Sequence, residues 1–107
     1  MTDRNTFYVG TDGLFARTIT QSGSAYDLSS VTKVGICFDG TVYDSDDYPT
    51  AFDWDTGTTG QIYFYLGKIT AITEATHDPN TEIILYDATA TNGFVVDVID
   101  VEAKELE

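Results

Sequence analysis

Read for alternation of apolar and polar positions, the chain predicts strands almost throughout. Thr6-Phe7-Tyr8-Val9 is the first, closed by a turn at Gly10-Thr11-Asp12-Gly13. A second runs from Leu14 to Gln21, and Gln21-Ser22-Gly23-Ser24 reads as a loop. Between Val31 and Asp39, Val34, Ile36 and Phe38 alternate with Gly35 and Cys37, the period-2 pattern of one buried face. Asp39-Gly40 is a tight-turn dipeptide that predicts a hairpin with Thr41-Val42-Tyr43. Asp44 to Thr50 carries packed carboxylates and Pro49, which predicts a solvated loop. Ala51 to Trp54 is a short strand, and Asp55 to Gly60 a turn. Beyond it Ile62, Phe64 and Leu66 point one way, and Tyr63 and Tyr65 the other.

From Lys68 to Thr76 a short helix competes, with Ile69, Ile72 and Thr73 at helical spacing, but β-branched residues weaken it. His77-Asp78-Pro79-Asn80 reads as a break. Thr81 to Tyr86 is a strand, Asn92-Gly93 a turn, and Phe94 to Val101 the last strand. Seven or eight short, mostly antiparallel strands with short connections predict an all-β, immunoglobulin-like β-sandwich. A small β-barrel is the alternative.

Composition narrows what such a domain can do. The 107 residues suit one domain, and 42% apolar residues suffice for one core. Residues 1–105 form that domain, and Leu106-Glu107 reads as a vector-derived tail. Eighteen acidic residues against five basic ones give a formal net charge of −13. Arg4, Arg17, Lys33, Lys68 and Lys104 stand singly along the chain, so no basic footprint for nucleic acid can be assembled. An anionic membrane would repel the chain, and no apolar run is long enough to span one. With Cys37 alone there is no internal disulfide and no cysteine zinc site. The start Met1-Thr2-Asp3-Arg4 lacks a signal-peptide layout, which predicts a cytoplasmic protein when made.

Three sets of residues could carry chemistry. The aspartates Asp39, Asp44, Asp46, Asp47, Asp53 and Asp55 could offer calcium its hard oxygen ligands. Their spacing fails the EF-hand ladder at Tyr48-Pro49, so a solvated acidic loop is expected, with no metal and no cofactor. If calcium binds, Asp44, Asp46, Asp47, Asp53 and Asp55 are the ligands. His77 is the only histidine and lies beside a turn signal, far from Cys37. Cys37, mid-strand, reads as a small packed side chain. With no P-loop, GxSxG or HExxH string and little room for a cleft, no enzyme activity is expected. The third set is aromatic. Tyr63 and Tyr65 look outward, as do Ile84 and Tyr86 if Ile83 and Leu85 face the core, and these four are the candidate interface. Trp54 reads as a core or corner anchor.

Two stretches carry a family resemblance. Asp27-Leu28-Ser29-Ser30-Val31-Thr32-Lys33-Val34 resembles an Asp-Leu-Ser/Thr-x-x-Thr-x-Val lead into an early core strand. Asp55-Thr56-Gly57-Thr58-Thr59-Gly60-Gln61-Ile62-Tyr63-Phe64 resembles the Asp-x-x-Thr-Gly-x-Val-x-Tyr turn and strand that follows. With Glu82-Ile83-Ile84-Leu85-Tyr86-Asp87 and a glycine-turned closing strand at Asn92-Gly93-Phe94, the layout is similar to immunoglobulin-like domains of tailed-phage virion proteins, such as the N-terminal domain of baseplate upper proteins. The similarity spans roughly residues 14–100. It implies a noncatalytic structural role in a phage or prophage particle, by contacts with identical or neighbouring virion subunits, and allows a homo-oligomer. The alternative function is a small ligand-binding module of the calcium-dependent, carbohydrate-binding kind, using Trp54 and the acidic loop.

Overall fold

The computed structural model describes residues 4–106; Met1-Thr2-Asp3 and Glu107 lie outside the described residues. Ten strands follow in order: β1 (Arg4–Tyr8), β2 (Phe15–Thr18), β3 (Thr20–Gln21), β4 (Ser24–Ala25), β5 (Val31–Phe38), β6 (Thr41–Asp44), β7 (Phe52–Trp54), β8 (Gln61–Phe64), β9 (Thr76–Asp87) and β10 (Phe94–Lys104). A five-stranded sheet has the order β1-β10-β9-β5-β6, and a three-stranded sheet the order β2-β8-β7. Every pairing is antiparallel except β1 on β10. Neither sheet closes on itself, so the chain is an all-β sandwich, not a barrel.

The topology is immunoglobulin-like. The β2-β8-β7 sheet corresponds to strands B, E and D of that fold, and β10-β9-β5-β6 to G, F, C and C′. The inter-sheet disulfide of antibody domains has no counterpart, because Cys37 is the only cysteine. Apolar packing holds the layers instead. Val34, Ile36, Phe38, Ile83, Leu85, Ile99 and Val101 from the large sheet meet Phe52, Ile62 and Phe64 from the small one in one buried cluster. Phe64 is fully buried, stacked on Phe15 at 5.2 Å and edge-on to Phe52 at 6.0 Å between ring centroids. Such aromatic pairs contribute roughly 0.5–1.5 kcal/mol beyond their burial.

The turns explain how this order is reached. Asp39 (φ 51°) and Gly40 (φ 79°) are both left-handed, the two-residue turn that the Asp-Gly dipeptide predicts between β5 and β6. The predicted loop Gln21–Ser24 is also a tight hairpin: Ser22 (φ 52°) and Gly23 (φ 81°) join β3 to β4. The predicted second strand splits there, because the Ile19 N–H donates to the Gly60 carbonyl at 2.8 Å and Ile19 turns into the core.

The stretch read as a competing helix, Lys68 to Thr76, is not helical; a 3₁₀ turn at Leu66–Lys68 ends at its first residue. Ile69 and Ile72 are nevertheless buried, joined by an Ile72 N–H to Ile69 carbonyl bond of 3.1 Å. Nor does the chain break at Pro79: β9 begins at Thr76 and passes through it. The register with β10 shifts there, from Thr81 opposite Ile99 to Asp78 opposite Val101, so Pro79 and Asn80 share the single partner Asp100. A bulge of this kind tolerates proline because no ladder bond is required of it.

Candidate protein-interaction face

The two resemblance stretches meet in space and make a corner. The Asp27 carboxylate accepts the Ser29 N–H at 2.9 Å. Leu28 is fully buried, and its N–H donates to the Gly57 carbonyl at 2.9 Å. Asp55 accepts the Thr59 hydroxyl at 3.1 Å. Gly60 lies at φ 68°, where a Cβ would stand 2.5 Å from the Ile19 carbonyl oxygen. This stretch fixes the corner between the sheets. The Ser29 N–H, then the Ser29 hydroxyl, holds the Asp27 carboxyl below its ordinary range.

The acidic residues do not gather. Among the described residues no three His, Cys, Asp or Glu side chains are placed to hold a metal ion. Asp44 accepts the N–H groups of Asp46 and Asp47 at 3.0 and 3.1 Å, closing its own turn. Lys33 Nζ lies 3.7 Å from both Asp44 and Asp46. Asp53 is exposed on β7 opposite Tyr63, and Asp55 is engaged in the corner turn. The Asp39 N–H instead donates to Asp78 at 2.8 Å, tying the β5–β6 turn to β9. The five-aspartate calcium set is therefore divided: Asp44, Asp46 and Asp47 share one turn, Asp53 lies on β7, and Asp55 belongs to the corner.

His77 is not a turn residue. It lies in β9, with its ring Nε2 2.7 Å from Asp100. Cys37 is half-buried on the outer side of β5, away from the core its neighbours enter. Trp54 packs against the core from β7 as expected, with its indole N–H buried and without a partner among the described residues. Two hollows, lined in part by Tyr43 and Glu74 and by Tyr26 and Phe94, have volumes of 160 and 250 Å³. Both are smaller than the roughly 300–1,000 Å³ of small-molecule sites.

The four candidate interface residues fall on opposite sides of the molecule. Tyr63 is half-buried on the outer face of the three-stranded sheet, and Tyr65 follows it, its ring 5.0 Å from Lys68 Nζ. Ile84 and Tyr86 are on the outer face of the five-stranded sheet. Ile84 is half-buried. Tyr86 looks outward as read but is buried there, because Lys33 Nζ covers its ring at 4.3 Å and Gly93 closes over it. A Cβ on Gly93 would stand 2.6 Å from both Tyr86 and Ile84.

Register shows what periodicity could not: which outward residues stand side by side. One row across the five-stranded sheet reads Val42, Cys37, Glu82, Val98, and the next reads Asp44, Gly35, Ile84, Val95. Val42, Val95 and Val98 are 51%, 49% and 48% exposed. With Tyr8, farther along the same face, they are four of the six large hydrophobic side chains exposed among the described residues. Gly35 lets β6 approach closely, since a Cβ there would stand 2.9 Å from the Tyr43 carbonyl oxygen. Sequence reasoning missed these valines because valine suits any strand. No helix among the described residues is long and apolar enough to cross a membrane. No protein-family model matches this chain, and no curated protein matches it either.

Proposed function

We propose that this chain is a noncatalytic assembly module, acting by protein–protein contact through the outer face of its five-stranded sheet. The observation that carries this reading is the outer face of the five-stranded sheet, where Val42 on β6 and Val95 and Val98 on β10 are each about half exposed. Single exposed apolar residues need no explanation, but three exposed valines on one sheet face, with half-buried Ile84 beside Val95, support an interaction surface. The resemblance of residues 27–34 and 55–64 to phage virion domains supports the setting: a tail- or baseplate-type phage or prophage particle, with identical or neighbouring subunits as partners.

The test is co-sedimentation. A tagged chain expressed in its native host is expected to band with released particles on a density gradient. Val98→Asp on the valine face should lower the bound share by about tenfold or more, the scale of one charge buried in an apolar contact. Tyr63→Ser, on the opposite face, should leave it unchanged. A chain that stays at the top of the gradient overturns the particle setting. Equal banding of wild type and Val98→Asp overturns the choice of face.

A further inference from the structure

The interaction face has one charge near its middle. Glu82 stands between Cys37 and Val98 in the row that begins at Val42, with Ile84 next but one along β9 on the same side. It is half-buried, and its side chain makes no hydrogen bond or ion pair among the described residues. Neither lysine of this face stands free beside it. Lys33 is engaged with Asp44 and Asp46. Lys104 lies six residues beyond Val98 on β10, about 20 Å along a strand.

A surface that covered these valines would also strip water from Glu82. An unpaired carboxylate buried in an apolar contact is strongly unfavourable, and a hydrogen-bonded cation offsets that cost. The chain itself is a poor source of that cation. In a two-fold stack of the same face, residues near the axis meet their own copies, so Glu82 would approach Glu82. The formal charge of −13 on each copy adds to the repulsion.

Resting on the interaction face proposed above, we infer that its occupant is a different protein surface: apolar, with a Lys or Arg side chain placed to meet Glu82. Charge complementarity of this kind sets register and excludes the wrong partner. Here the excluded partner is a second copy of the chain.

The probe is the chain itself with Glu82→Lys, which presents the same apolar face with a cation at its centre. Wild type, the variant and their equimolar mixture are compared by sedimentation velocity, with circular dichroism confirming that each is folded. The mixture is expected to form a one-to-one dimer while each component alone stays monomeric, a difference of about tenfold or more in association. Raising the salt should weaken the dimer, and Val98→Asp should abolish it. Should Glu82→Lys fail to fold, Glu82→Arg replaces it. A mixture that sediments as two monomers overturns the inference. So does a wild-type dimer that Val98→Asp disrupts, because a second copy would then be the occupant. In either case, loss of particle banding on Val98→Asp would leave the proposed function standing, so the two failures are distinguishable.

Discussion

The outer faces of the two sheets obey the same alternation and differ in chemistry. On the three-stranded sheet Ala16, Thr18 and Asp53 are exposed, Tyr63 and Gln61 are half-buried, and the Gln61 amide donates to the Thr18 hydroxyl. Small and polar groups keep that face compatible with water. On the five-stranded sheet the corresponding positions include the exposed Val42, Val95 and Val98, with Cys37, Glu82, Gly35, Ile84 and Asp44 in the same two rows. The core needs only the inner half of each strand. Alternation therefore decides which residues face out, and the identity of those residues decides whether a face suits water or another protein.

The comparison breaks if the valines stabilise the fold. The largest effect should come from beneath the surface. Phe64→Ala removes a fully buried ring that touches Phe15 and Phe52, and should cost about 3–5 kcal/mol. Val98→Thr keeps β-branching at an outward position and should stay within about 0.5 kcal/mol. Urea unfolding of both variants measures the contrast. A loss above about 1 kcal/mol for Val98→Thr would make the face part of the fold and weaken its claim as an interface.

The fold was largely legible, and the reason is local. Val34, Ile36 and Phe38 alternate cleanly, and all three are buried. Asp39-Gly40 names its turn because few dipeptides adopt two left-handed conformations in succession. The valine face was less legible, because neighbours across a sheet are set by topology. Val42 and Val98 are 56 residues apart in the chain and share one row only because β5 and β9 lie between them. Tyr63 and Ile84 look alike in a period-2 reading, yet they belong to different sheets. Pro79 misled for a related reason. It reads as a break unless the bulge opposite Asp100 is known.

A second measurement concerns how the two sheets are joined at one edge. Arg17, on β2, reaches across to Asp97, on β10, at 2.9 Å. Asp97 can face inward because the register shifts between Val95 and Asp97, which sets it opposite the buried Ile83. A bulge that re-aims one side chain is a recognised device at sheet edges. Both side chains are 31% exposed, so water screens the pair. Asp97→Ala should cost about 1 kcal/mol, with a coupling to Arg17→Ala of about 0.5–1 kcal/mol in a double-mutant cycle. The coupling should shrink in high salt. A coupling near zero would leave apolar packing as the only bond between the sheets at that edge.

The smallest effect is expected at the corner, on neither face. Asp27 is fully exposed, and its carboxyl is held low chiefly by the Ser29 N–H. A carboxyl whose folded pKa lies below the unfolded value of 3.8 stabilises the fold in its ionised form. That contribution is whole above the unfolded value and disappears as pH falls through the lower, folded one. Asp27→Asn can still accept the Ser29 N–H but carries no charge, so it isolates the ionic part. The melting temperature of wild type should exceed that of Asp27→Asn by a small, constant margin well above the unfolded value of 3.8, and the two curves should converge as pH falls below it. Curves that run parallel through that range would place the role of Asp27 in the turn geometry it shares with asparagine, and the corner would then owe nothing to its charge. Curves that converge would show that the charge of Asp27 itself contributes, through the donor within its own turn.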